Sequence, residues 1–402
     1  MKEQGLQENP HFPKVYFKWD GDDFHCVGMH IDDGIWITSS VQKLNVILDN
    51  IDKKFKLERN YAPTKILGCE FEYDKNRGMM KIHQGSYNTA KVRKNLKGRS
   101  YKPARAPGYF PAKVGNPELR KEPTQAPPEE VRQYQKLAGE RMWGIQTDGT
   151  VAYAMHRAAQ HMLNPQPENW NQLKRIQDYV ATYPEMGPIW RAANPPEKLK
   201  RGASLDCLTF YADADLGGNL NSKSTTGYSA FLGESGIFDW KTKKQTCVSQ
   251  SSCESETCTN KDATCKAIWY RNGLSVMGFS FTKPTPICQD NRAAIALCES
   301  DRHHSRTRHF RLHVNLLRDC YAKRITWYPW IPTKHMRGDL FNKFHQPIDH
   351  ERLCAINGFS PLPLSELEDK IEPMDLSKYV EDWKREQEEK TRLKLNEENN
   401  TN

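Results

Sequence analysis

The sequence predicts an α/β protein whose C-terminal half holds a mixed sheet flanked by helices. Between 204 and 244 three apolar strand patterns follow one another across short turns. They are the alternating Leu208, Phe210 and Ala212, then Tyr228–Leu232, then Ile237–Trp240, and together they read as a meander. Beyond 250 the pattern changes to helices alternating with strands, at Pro286–Gln289 and Ile325–Ile331, which calls for crossovers and parallel pairing. A third observation gives this half its chemistry. Asp213, Glu256, Asp290 and Asp339 each stand at the end of an apolar strand-like run or near the start of a helix. Two divalent ions about 3.5–4 Å apart need such clustered oxygen ligands, and four carboxylates from four distant segments are what a two-metal phosphodiester-cleaving site requires. Glu256 is also expected near a helix start, where the helix dipole favours a carboxylate.

From the N-terminus, Val15–Lys18 and Val27–Ile31 read as strands about the turn-like Asp20–Asp23, and the second runs into Asp32-Asp33. A hairpin with paired aspartates at its tip is the arrangement in which polymerase palms hold their metals, though Asp-Asp before Gly is also a common turn. Leu44, Ile47, Leu48, Ile51 and Phe55 recur at helical spacing, and two strands about Asn76–Gly78 lead into a basic helix. Prolines break the stretch 98–129, a linker, and three helical patterns follow, around Val131–Ala138, Val151–Met162 and Trp170–Val180. Lys174 and Arg175 read as a solvated helix face. Pro184–Arg201 is a second linker, and the tail 360–402 is charged, its stretch Glu381–Lys394 reading as helix-forming with almost no apolar face.

Composition narrows the partners. The chain has 402 residues, room for two or three domains, and a formal charge of +9. Between 204 and 345 there are 19 Lys and Arg against 13 Asp and Glu, so a basic excess survives among the proposed ligands and points to a polyanion. Lys241, Lys243 and Lys244 form a basic edge there. The 11 cysteines make no CxxC pair, as expected of reduced thiols in an intracellular protein, and neither a signal peptide nor a membrane span is read. His309 and His313 lie i,i+4 on a predicted helix, but no third ligand nearby completes a zinc set. Trp327, Tyr328 and Trp330 read as strand and core residues.

The stretches "YADADLGG", "NSKSTTGYSAFLG", "WKTKKQTCVSQSSCESE", "CQDNRAAIAL", "HHSRTRHFRLH" and "IPTKHMRGDLFNK" resemble the ribonuclease H domain of copia-type retrotransposon Pol polyproteins, over Leu205 to about Phe359. "MHIDDGIWI" resembles the catalytic hairpin of the same family's reverse transcriptase. Leu67–Glu70 and Gln84–Tyr87 match the strand and segment after it, and "YQKLAGERMWGIQTDGTVAYAM" its thumb and connection, with Asp148–Val151 departing from the family pattern. The resemblance implies a partial palm at 1–97, the linker 98–129, a helical thumb/connection at 130–203, a ribonuclease H-like domain at 204–359 and the tail 360–402. It implies endonucleolytic hydrolysis of the RNA strand of an RNA–DNA hybrid. Asp213, Glu256, Asp290 and Asp339 would hold two Mg²⁺, with Mn²⁺ as substitute, and Arg306 and Arg308 would contact phosphates. His335 would help protons or product leave. Other expected partners are the N-terminal part of such a polyprotein, in the cytoplasm or nucleus. Asp32 and Asp33 would be vestigial. Only 31 residues precede Asp32, without the earlier palm carboxylate, so polymerase activity is not expected of this chain alone. Asn260, Lys261 and Asp262 stand where the family carries mostly small or apolar residues, which keeps a catalytically decayed, binding-only relic as the alternative.

Overall fold

The computed structural model describes residues 1–96, 100–108, 125–192, 200–219, 221–233, 236–300 and 305–367, with 385, 389 and 392. Strands β1 (Gln7–Glu8), β2 (Val15–Asp20), β3 (Asp23–His30) and β4 (Asp33–Thr38) form an antiparallel meander in that order. Helix α1 (Val41–Asp52) is capped by Ser40, whose hydroxyl accepts from the Lys43 amide, and it lays Ile47 against Leu6 and Val27. Next come β5 (Lys65–Ile66), β6 (Cys69–Asp74), β7 (Met79–His83) and the basic α2 (Gly85–Leu96).

The three expected helical patterns form α3 (Pro128–Gly144), α4 (Ala152–Ala159) and α5 (Pro167–Thr182), with prolines in the first turns of α3 and α5, where no amide partner is lost. Around 184–201 the structure corrects the linker reading. Gly187–Arg191 is a strand, β8, because its short apolar run pairs with β7 on one side. The described part of the first linker is also held: Ala104 and Ala106 are buried, and Arg175 donates to the Ala106 carbonyl instead of facing solvent.

The C-terminal sheet comprises β9 (Leu208–Asp215), β10 (Thr225–Leu232), β11 (Ile237–Lys244), then, after α6 (Ser252–Val276), β12 (Thr285–Cys288) and, after α7 (Arg292–Glu299) and α8 (Arg311–Ala322), β13 (Thr326–Trp327). Its order is β11-β10-β9-β12-β13, antiparallel across the first three and parallel from β9 onward, so the expected mixed sheet forms. The last strand is shorter than expected: Pro329 has no amide to donate, and only a single bridge, Gln289 to Trp330, continues it. Asp339 does not open the final helix. It sits in a separate 3-10 turn, Arg337–Phe341, and α9 (Pro347–Ile356) begins only after His345 and Gln346. Strand β14 (Phe359–Ser360) then returns to β8, giving the second sheet the order β14-β8-β7-β6-β5.

Both faces of the C-terminal sheet are covered. Leu208, Phe210, Ala212, Tyr228 and Ala230 pack with Ala263 and Ala267 of α6. Tyr211, Phe231 and Ile237 share a second core with Tyr134, Met155, Leu173 and Ile176 of α3–α5 and with Leu340 and Phe341. Central strands covered on both sides explain why burial runs along β9 and β10 with little alternation. No helix among the described residues is long and apolar enough to cross a membrane.

Candidate metal centre

Asp213 lies near the end of β9, paired across to Gly227 of β10. Glu256 stands one turn into α6, whose start is fixed by Ser251 accepting from the Glu254 amide at 3.2 Å and by Glu254 accepting from the Gln250 amide at 2.8 Å. Asp290 follows β12 directly, before Asn291 caps α7 by accepting from the amides of Ala293 and Ala294. These three segments bring one carboxylate oxygen each from Asp213, Glu256 and Asp290 within 4.8 Å of one another.

Gln289 holds two of the three. Its amide nitrogen donates to Glu256 at 3.2 Å, and its carbonyl accepts from the backbone of Asp290 and Asn291 at 2.8 and 3.1 Å. Thr333 donates to Asp290 at 2.7 Å, and the Trp330 indole donates to the Asp290 carbonyl. Burial and then the charges of Asp213 and Asp290 push Glu256 well above the ordinary carboxylate range. Burial, then Asp213, raises Asp290. Three crowded, desolvated acids are costly by themselves, and a hard divalent cation with oxygen ligands relieves that cost, so these residues fit one.

Asp339 lies beside this group, outside its 4.8 Å sphere. It meets the Lys343 ammonium, and burial followed by the Asp213 charge pushes it up to about 9. Burial opposes ionisation of Asp213 too, but Lys343, Asp339 and Asn342 outweigh it and hold that carboxylate below its ordinary value. Asp215, two residues on, is raised by burial against the pull of Lys343 and Arg157. Sequence reasoning missed Gln289, Asn342, Lys343 and Asp215. The signal for two of them was the i+3, i+4 spacing of Asn342 and Lys343 from Asp339.

The expected nucleic-acid residues are placed more loosely. Lys243 pairs with Asp262 at 2.8 Å, Lys244 donates to Gln160 at 3.2 Å, and Lys241 sits 6.0 Å from the Tyr228 ring. Arg308 is exposed, while the side chain of Arg306 lies outside the described residues. His335 is half-buried on the turn Thr333–His335 and lowered by burial, then by Lys334. His309 pairs with Glu254 at 3.0 Å and His313 with Cys258 at 3.6 Å. The stretch that departs from the family is accommodated: Asn260 accepts from Gln289 at 3.0 Å, and Asp262 is salt-bridged to Lys243 and Lys261.

Asp32 and Asp33 are at the tip of the β3–β4 hairpin, both exposed, with Asp20, Asp22 and Asp23 at the meander's other end. Among the described residues they join no group of three metal-capable side chains.

A buried acidic triad at the end of a five-stranded mixed sheet marks this half of the molecule as a candidate metal centre. No known family profile matches the chain. The Pol polyprotein of transposon RE2 from Arabidopsis thaliana is 32% identical over 188 residues, 46% of this chain and 12% of that protein. That of transposon TNT 1-94 from Nicotiana tabacum is 24% identical over 336 residues, 79% of this chain and 23% of that protein. An RNase H1, LC11, crystallised with an RNA/DNA hybrid is similar over 34% of this chain and 93% of its own, at 10% identity and a TM-score of 0.27. The chain is similar to copia-type retrotransposon Pol polyproteins, and spans less than a quarter of the length of these two.

Proposed function

We propose that the chain is a metal-dependent nuclease that cuts the RNA strand of an RNA–DNA hybrid. The observation that carries this reading is the convergence of Asp213, Glu256 and Asp290, from three distant segments, within 4.8 Å. A bound Mg²⁺, or Mn²⁺ in its place, would activate water and stabilise the charge on the leaving 3′ oxygen. Asp213, Glu256 and Asp290 would hold that ion, and Gln289 and Thr333 fix two of the carboxylates by hydrogen bonds. Asp339, raised by burial and joined to Asp213 through Lys343, borders the same place. Choice of strand falls to contacts with RNA 2′-hydroxyls and to the shape of the hybrid. Satisfied partners for Asn260 and Asp262 leave the departure at 260–262 without a defect that would favour a binding-only relic.

The test uses the purified 402-residue chain, an end-labelled hybrid and Mg²⁺. Internal RNA cuts are expected with Mg²⁺, none with EDTA, and none from Glu256→Gln. Hybrid binding by the wild type with no cutting at any Mg²⁺ or Mn²⁺ concentration would replace this reading with the binding-only one.

A further inference from the structure

Asp213 is the one carboxylate shared by two differently built sides of the site. On one side Glu256 and Asp290 are met by neutral donors, Gln289 and Thr333. On the other, the Lys343 ammonium is 3.3 Å from Asp213 Oδ2 and pairs with Asp339, while Asn342 donates to the same Asp213 oxygen. A cation therefore stands between Asp213 and Asp339.

Its placement is built into the backbone. A Cβ on Gly227 would lie 2.8 Å from the Gly338 carbonyl oxygen and 2.9 Å from Asn342 Cβ, and one on Gly338 would lie 3.0 Å from the Tyr211 carbonyl oxygen. Two glycines without side chains let the stretch 337–343 lie directly on β9 and β10, and that contact delivers Asn342 and Lys343 to Asp213. Phe344, next along, packs edge-on against Tyr153 of α4 at 4.8 Å between ring centres, which fixes the stretch from the far side. Lys343 is thus held at both neighbours, unlike a surface lysine free to swing.

We propose that Lys343 is the built-in second cation of this centre: the chain takes one divalent ion, on Asp213, Glu256 and Asp290, and the Lys343 ammonium stands on the Asp213–Asp339 side, where a two-ion site would hold the other. The proposal rests on the metal reading of the acidic triad given above. Two divalent ions in such sites lie about 3.5–4 Å apart, and an ammonium already paired with Asp213 and Asp339 would repel a second divalent ion brought to the same carboxylates. An ammonium supplies charge but accepts no ligand, so this side of the site would neutralise Asp213 and Asp339 without coordinating water.

Stoichiometry decides it. The full chain is titrated with Mn²⁺, with bound ion counted by calorimetry and free ion by electron paramagnetic resonance. One Mn²⁺ per chain is expected for the wild type and for Lys343→Arg, which keeps the charge. Two are expected for Lys343→Met, and for Lys343→Gln as a second neutral variant should the first lose its thermal transition. Asp290→Asn should weaken the single site by about tenfold or more. Two ions bound to the wild type, or one to both neutral variants when folded, would overturn the role of Lys343 and leave the metal reading standing. No ion bound to the folded wild type would overturn both.

Discussion

Two antiparallel hairpins in this chain present aspartates, and they differ in everything except residue type. At the tip of β3–β4, Ile31, with a φ of +53°, and Asp32 make a two-residue turn closed by His30 and Asp33, and both carboxylates face water. At the end of β9, Asp213 is 4% exposed, and segments more than forty residues away in sequence bring Glu256 and Asp290 to it. An exposed carboxylate is already stabilised by solvent and gains little from a metal ion. A buried group of three is not: burial and the Asp213 charge raise the proton affinity of Glu256 and Asp290, and a cation would relieve that. Acidic motifs become metal centres when folding removes their water and gathers their partners.

The largest effect should separate the two hairpins outright. Asp290→Asn is expected to lower the initial rate of RNA cleavage by about a thousandfold or more, while Asp32→Asn and Asp33→Asn stay within about twofold of wild type. Comparable losses at Asp32 and Asp290 would break the contrast. A smaller effect is expected one layer out. Gln289→Ala removes the amide shared by Glu256 and the Asp290 backbone, so the Mg²⁺ concentration giving half-maximal rate should rise about 10–100-fold, with the saturated rate less affected. An unchanged Mg²⁺ requirement would show that the two acids need no such support.

The cores sharpen the same comparison. Leu173 of α5 is fully buried in the core that also holds Leu340 and Phe341, next to Asp339, whereas Ile47 belongs to the small core under the meander. Leu173→Ala should cost about 2–5 kcal/mol in a denaturant titration and lower the temperature at which cleavage is lost. Ile47→Ala should loosen the meander and leave that temperature in place. A shared loss would mean that the two regions unfold as one unit.

These contrasts also mark what the sequence could and could not disclose. Asp213, Glu256 and Asp290 were legible as candidates because each stands at the end of a strand or in the first turns of a helix, and element ends are where a mixed sheet presents its side chains. The meander of β9–β11 and the helices α3–α5 were legible from apolar spacing alone. Gln289 and Lys343 were not, because a glutamine beside an aspartate and a lysine after a helical turn acquire roles only from what folding places opposite them. Strand β8 escaped because its partners, β7 and β14, lie on either side of it by more than a hundred residues. Asp339 was legible as a ligand candidate, but its 3-10 turn depends on the close approach allowed by Gly227 and Gly338, which no periodicity signals.

The smallest effect concerns an acid that is buried, as Asp213 is, but alone, as Asp32 is. Asp148 is 2% exposed, accepts from the Thr150 amide at 3.0 Å, and has its carboxyl pushed up by burial to about 7 from an ordinary 3.8. Below its ordinary value the group is protonated whether the chain is folded or not, and it contributes nothing to pH dependence. As pH rises towards 7, the unfolded chain releases the proton while the folded chain keeps it, so stability falls across that window and levels off above it. Asp148→Asn keeps an oxygen for the Thr150 amide and removes the ionisable group. The variant's melting temperature should therefore match the wild type near pH 4 and exceed it at pH 8, with the gap opening between. A gap that is the same at both pH values would mean that Asp148 is ionised in the folded chain, and that a lone buried carboxylate here is tolerated without either a metal or a proton.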